Sequence, residues 1–114
     1  MVGVTNQKSS FLGPEFSNVE IKNILDNYSI NFKSFENDNL LLDAITNNLV
    51  GGKVIGLFQG RMEFGPRALG ARSIIGDARS IDMQKNMNLK IKYRESFRPF
   101  APAILEEHVP NYFS

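Results

Sequence analysis

Residues 53–59, Lys-Val-Ile-Gly-Leu-Phe-Gln, constrain the fold more than any other stretch of the chain. The run is apolar, too short for a stable helix, and bounded by glycines, so it reads as a strand, and as an interior one. It leads directly into "QGRMEFGPRALGARS" (59–73), with glycines at 60, 65 and 70 and arginines at 61, 67 and 72. Any fold of this chain must therefore feed a strand into a glycine-rich, basic turn. The flanking composition is that of a globular protein, 42% hydrophobic and 11% aromatic over 114 residues. That length fits one domain, able to bury roughly two-thirds of its unfolded surface in a sizeable core.

Around this centre the pattern predicts helices and strands in mixed order. Residues 1–10 are polar and without periodicity, and are expected to be a flexible segment; 11–114 form the domain. Ser17 followed by Glu20 fits a capping box, with Phe16 and Ile21 as a hydrophobic staple. A helix follows over about Asn18–Asn27, with Val19, Ile21, Ile24 and Leu25 on its apolar face. "INFKSF" (30–35) alternates as an edge strand would. Asp38 caps a second helix over about Asn39–Val50, with Leu41, Leu42, Ile45 and Leu49 as its buried stripe and Gly51-Gly52 as its end. Pro66 suits the first position of a short helix. "RSIIGDAR" (72–79) reads as a second strand running into a turn. Ser80 or Asp82 caps a helix to about Lys90 with Ile81, Met83 and Met87 inward, and "FAPAIL" (100–105) reads as an edge strand because of Pro102. The sum is an α/β (mixed α+β) domain, too irregular for a doubly wound sheet. Met62 and Phe64 read as core residues.

Several functions are excluded at once. With no cysteine there is no disulfide, thiolate metal site or cysteine nucleophile. A single histidine, His108, rules out a histidine-rich metal centre and is assigned no catalytic role. No apolar run approaches the roughly 18 residues of a membrane span, and no secretion signal precedes the domain, so a cytoplasmic protein is expected. The net charge of +1 hides an asymmetry: residues 60–100 hold nine Lys and Arg against four acids, while the remainder is net acidic. Positive charge so concentrated points to a local anionic ligand more than to a broad nucleic-acid surface.

Gly60 and Gly65 are spaced as in a G-x-x-x-x-G-K-[ST] phosphate loop, but Pro66-Arg67 stands where Lys-Ser/Thr is required. Proline removes a backbone donor and no hydroxyl is placed for magnesium, so this is not a P-loop. Phosphate is instead expected on side chains, because the arginine fork matches phosphate oxygens. Arg61, Arg67 and Arg72 form one cluster. Lys90, Lys92, Arg94 and Arg98 in "KIKYRESFRPF" form a second, with Phe97 and Phe100 as surface for an adenine ring. The bland reading of the first is that one or two of its arginines pair with Glu63, Asp77 or Glu95 on the surface, and of the second that both phenylalanines are core and the cations a solvated rim.

"GRMEFGPRALGARSII" and "IKYRESFRPFAPAIL", with "FLGPEFS" upstream, resemble the C-terminal domain of the O-carbamoyltransferase family, which includes nodulation-factor, antibiotic and cephem enzymes. The resemblance covers about residues 11–113 and implies a YrdC-like fold, a partly open twisted sheet flanked by short helices. Lys92-x-Arg94 and Arg98-Pro99 are similar to the K-x-R…K-P pattern of that fold. It implies a site where carbamoyl phosphate and ATP, with magnesium, yield a carbamoyl-adenylate. An N-terminal sugar-kinase-like domain carrying metal-ligating histidines then moves the carbamoyl group to a hydroxyl. Nothing resembling that partner domain is present, and the family's domain usually runs past the equivalent of Ser114. The chain is thus expected to be a truncated fragment, inactive alone and without a metal site of its own.

Arg61, Arg67, Arg72, Lys92, Arg94 and Arg98 are the expected ligand contacts, with Ser73 as a supporting donor. Arg67 and Arg98 are expected to wall one anion site. Glu63 either orients an arginine or holds a metal, orienting being favoured. The competing readings are a non-catalytic nucleotide- or RNA-binding module, and a docking domain whose Phe11, Phe16, Phe32 and Phe35 face a missing neighbour.

Overall fold

The structure, a computed structural model, describes residues 9–113; the expectation of a flexible start therefore lies, for residues 1–8, outside the described residues. The chain divides into two compact units, one ending at Ile75 and one starting at Gly76. Among the described residues the first holds two helices and a sheet that is a single antiparallel pair, and the second holds only short helical pieces.

In the first unit, helix α1 (Asn18–Asn27) begins as its sequence dictates. The Ser17 Oγ accepts the Glu20 N–H at 3.3 Å, and Glu20 Oε2 accepts the Ser17 N–H at 2.8 Å, which satisfies two donors that a helix start leaves open. Helix α2 (Asp38–Val50) is capped one residue earlier than expected. The Asn37 Oδ1 accepts the Leu40 N–H at 3.1 Å, leaving Asp38 inside the first turn where its charge suits the helix dipole. Neither helix has a buried residue. Ile21, Leu25, Ile45 and Leu49 are half-buried, whereas Val19, Ile24, Leu41 and Leu42 are exposed. The expected buried stripes are incomplete because α1 packs on no other element among the described residues, and α2 meets only β1.

Strand β1 (Ile55–Phe58) pairs antiparallel with β2 (Arg72–Ile75), Ile55 opposite Ile75 and Phe58 opposite Arg72. The strand itself was legible; its interior position was not. With one partner it keeps a free edge, and its residues alternate between half-buried and exposed. Residues 30–35 form no strand.

The second unit is built on α3 (Met83–Asn86), which passes without a break into a π-helical turn, Met87–Ile91. Met83 and Met87 are buried as expected, but Ile81 is 96% exposed, because the helix starts after it and Asp82 caps it with no side-chain bond. The Gly76 main chain lies so close to both methionines that an added Cβ would stand 2.8 Å from the Met83 sulfur. Residues 100–105 form no strand among the described residues, and a 3-10 turn (Glu106–His108) leads into α4 (Val109–Tyr112). The buried hydrophobic residues among those described are Ala71, Met83 and Met87, so the described residues do not form the sizeable core expected. No helix among the described residues is long and apolar enough to cross a membrane.

Candidate anion-binding site

The glycine-rich loop answers its own resemblance to a phosphate cradle. Its backbone N–H groups do converge on an anion, but the anion is Glu63. One oxygen of that carboxylate, Oε1, accepts the N–H groups of Leu69 and Ala71 at 2.7 Å each and of Arg72 at 3.1 Å. The side chain is buried, with Glu63 only 7% exposed. Burial pushes the carboxyl up. The Leu69 N–H, its own N–H and those of Arg72 and Ala71 more than reverse this and hold it at about 2, below the ordinary 4.5. Gly65 (φ 131°) and Gly70 (φ 104°) supply the left-handed backbone that lets residues 63–72 wrap round it. This wrapping replaces the short helix expected at Pro66, so Arg67 follows no helix start.

A neighbouring segment locks the loop. The Gly13 N–H donates to Met62 O at 2.9 Å, the Met62 N–H to Pro14 O at 3.0 Å, and the Phe64 N–H to Ser10 O at 2.6 Å. Met62 and Phe64, expected as core, are 39% and 73% exposed: their main chain is held and their side chains are not. Gly13 is required here by space, since an added Cβ would meet Met62 Cβ at 2.8 Å and Met62 O at 2.9 Å.

Arg72 is engaged at both ends of its guanidinium. Its Nη1 donates to Gln59 O, Gly60 O and Ala71 O at 3.0, 3.2 and 2.9 Å, and its Nη2 to Pro14 O at 3.3 Å. The group also lies 3.6 Å from the centroid of Phe58, its cross-strand partner. The Ser73 Oγ accepts the Gly70 N–H at 2.9 Å. Glu63 therefore holds the main chain of Arg72 and not its guanidinium. Arg61 lends one bond, Nη2 to Leu12 O at 3.3 Å, and Arg67 makes no hydrogen bond or ion pair among the described residues. Between these groups opens a cleft of about 240 Å³, lined by Phe11, Arg61, Leu69, Ala71, Gln59 and the main chain of Gly60 and Gly70. It joins an aromatic face to a guanidinium with unused donors, a combination that suits a planar anionic ligand.

In the second unit Lys92 is exposed, its side chain without a hydrogen bond or ion pair among the described residues, while Arg94 is half-buried. The Arg94 Nε donates to Asn88 Oδ1 at 2.7 Å, and its guanidinium lies 4.9 Å from the Phe100 centroid. The Arg98 Nε donates to Glu95 Oε2 at 3.2 Å in an exposed pair, and the Glu95 carboxyl is lowered first by its own N–H and then by Arg98. Exposed pairs of this kind contribute little to stability. Asp77 is held at about 2, mainly by hydrogen bonds from Arg79. Arg67 and Arg98 fall in different units. Sequence reasoning did not single out Asn88, which is fully buried, because one asparagine beside Met87 carries no motif.

The sequence pattern of the family described as Carbamoyltransferase C-terminus matches residues 46–114. An uncharacterized protein of Synechocystis is 56% identical over 105 residues, covering 91% of this chain and 17% of its own length. Nodulation protein NolO of Bradyrhizobium diazoefficiens is 37% identical over 103 residues, covering 90% of this chain and 19% of its own. Nodulation protein U of Sinorhizobium fredii is 48% identical over 66 residues, covering 58% of this chain and 12% of its own. The chain spans less than a fifth of each of these relatives.

Proposed function

The chain belongs to the carbamoyltransferase C-terminus family, and from that premise we propose that it is the ATP- and carbamoyl-phosphate-binding part of an O-carbamoyltransferase, YrdC-like in fold and cytoplasmic. In this reading the two ligands yield a carbamoyl-adenylate, and a sugar-kinase-like domain of the same longer protein passes the carbamoyl group to a hydroxyl. Within the first unit Arg61 and Arg67, and within the second Lys92, Arg94 and Arg98, are each cast as contacts to an anionic ligand group, while Arg72, Ser73 and Glu63 hold the loop that shapes the first unit's cleft.

One observation carries the reading. Three backbone donors of the glycine loop, those of Leu69, Ala71 and Arg72, are occupied by Glu63, whereas the Nη groups of Arg94 and most donors of Arg61 are unused among the described residues. Phosphate recognition then falls to side-chain forks, and each charged hydrogen bond is worth about 1.5–3 kcal/mol. The chemistry of adenylate formation needs positioning and charge stabilisation more than a protein nucleophile, which suits such a set. Magnesium enters with the ATP phosphates, since Glu63 and Glu95 are committed to main-chain N–H groups and Arg98.

Calorimetric titration of the chain with ATP–magnesium and carbamoyl phosphate, separately and together, tests this. Saturation at one equivalent of ATP supports it. A binding constant that falls steeply and linearly with salt on logarithmic axes, as for many phosphates on a polymer, favours RNA instead. The docking reading keeps one observation of its own: of its four phenylalanines Phe11, Phe16 and Phe32 are each more than 40% exposed, while Phe35 is half-buried. These faces suit the partner domain, so the two readings are compatible.

A further inference from the structure

We propose that Asn88 is the positioning residue for Arg94, clamping its guanidinium at Nε so that the Nη1–Nη2 edge is left to take a phosphate-bearing ligand; this rests on the reading above that Arg94 meets such a ligand. Asn88 is 0% exposed, and every polar atom of its side chain is spent. Its Nδ2 donates to Ser96 O at 3.1 Å and to Arg98 O at 2.7 Å, and its Oδ1 accepts the Arg94 Nε–H at 2.7 Å. Its main-chain carbonyl accepts the Arg94 N–H at 3.0 Å. One residue thus fixes the main chain of Arg94, its side chain, and the loop out to Arg98.

The π-helical turn explains why Asn88 can do this. The Lys92 N–H reaches back five residues to Met87 O at 3.0 Å, which widens the turn after Asn88. The chain then reverses through Tyr93, which adopts φ 50°, a left-handed conformation that a tyrosine rarely takes. Gln84, one turn before Asn88, donates to Phe97 O and Arg98 O at 3.2 and 3.1 Å and backs the same loop.

Comparison of the arginines sets Arg94 apart. Arg72 has both Nη groups on carbonyls, Arg98 is exposed and tied to a carboxylate, and Arg67 is exposed and held by nothing among the described residues. Arg94 alone in this set combines partial burial, an aromatic support and a neutral clamp at Nε with an unused Nη edge. A neutral asparagine orients the cation without cancelling its charge, which a carboxylate in the same place would do. Ordering the side chain before binding removes an entropy cost that an arginine otherwise meets when it captures a ligand.

The test is a double-mutant cycle with ATP–magnesium as the probe, read by calorimetry, together with the Arg94 Nε–H resonance in nitrogen-15 spectra. In the wild type that resonance exchanges slowly with solvent. In Asn88→Ser it is lost and ATP binds about tenfold more weakly; Arg94→Ala weakens ATP by ten- to a hundredfold, and the double variant is no weaker than Arg94→Ala. Asn88→Asp keeps the size and the accepting oxygen but adds a charge, so it retains the Arg94 Nε–H resonance and still weakens ATP binding; if the serine variant does not fold, ATP bound by Asn88→Asp as tightly as by the wild type overturns the role of a neutral clamp. Unchanged ATP affinity in Asn88→Ser, or losses that add in the double variant, overturns the positioning role. Unchanged affinity in Arg94→Ala, with the resonance still dependent on Asn88, overturns the anion-binding reading of Arg94 while the clamp itself stands.

Discussion

Replacing Glu63 by glutamine removes one charge from the centre of the glycine-rich loop and leaves the size of the side chain unchanged. In the wild type the carboxylate gathers three N–H groups on one oxygen, two of them at 2.7 Å. Burial raises its pKa, and the Leu69, Glu63, Arg72 and Ala71 N–H groups lower it further than burial raises it, to about 2 from 4.5. The folded value lies below the unfolded one, so the stabilisation is fully present above pH 4.5 and is lost as pH falls through about 2. Inside that window unfolding takes up close to one proton at Glu63, which changes the unfolding equilibrium by up to about tenfold per pH unit. Asp77, Glu20 and Glu95 are also lowered, so only the difference between the two proteins isolates Glu63. The assay is urea denaturation at closely spaced pH values from 7 to 2. Glu63→Gln is less stable at pH 7, because neutral acceptors hold N–H groups more weakly than charged ones. Its acid dependence is shallower, and the two curves converge toward pH 2. Curves that run parallel from pH 7 to 2 would refute the assignment of the loop to this carboxylate.

Two further outcomes follow from the same loop. Gly13→Ala forces the main chain off Met62, with about 1–3 kcal/mol of crowding and about 1 kcal/mol for each backbone bond disturbed; it should lower stability by about 2–4 kcal/mol in urea melts, whereas Gly56→Ala, whose added Cβ meets open space, should cost far less. Arg72→Lys should also lower the melting temperature and loosen residues 12–16 in hydrogen exchange, because an ammonium can neither stack its plane on Phe58 nor reach Pro14, Gln59, Gly60 and Ala71 together.

Local chemistry was the legible part of the sequence. The Ser17–Glu20 box placed α1, the apolar run 53–59 placed β1, and "RSII" placed β2, each decided within a few residues. The family was legible too, since "GRMEFGPRALGARS" and "KYRESFRPFAPAIL" are long and specific. What failed depended on distant partners. A helix after Pro66 was reasonable by position, but propensity could not show that Glu63 would take the N–H groups of Leu69, Ala71 and Arg72. The strand at 100–105 needed a neighbour that no local pattern supplies, and Ile81 was assigned inward on a helix that starts two residues after it. Asn88 stayed hidden for the same reason: its partners lie six to ten residues away across a turn whose π geometry leaves no periodic signature.

The proposed reading has the glycine loop filled by its own carboxylate and leaves phosphate to arginine side chains. Nitrogen-15 spectra of the chain, recorded while ATP–magnesium is titrated in, test it most directly. The expected result is that the side-chain resonances of Arg94 move and saturate at one equivalent, while the amides of Leu69, Ala71 and Arg72 stay close to their free positions. Large downfield shifts of those three amides on binding, with the arginine resonances unmoved, would contradict it, because the loop would then be releasing Glu63 to cradle the phosphate itself.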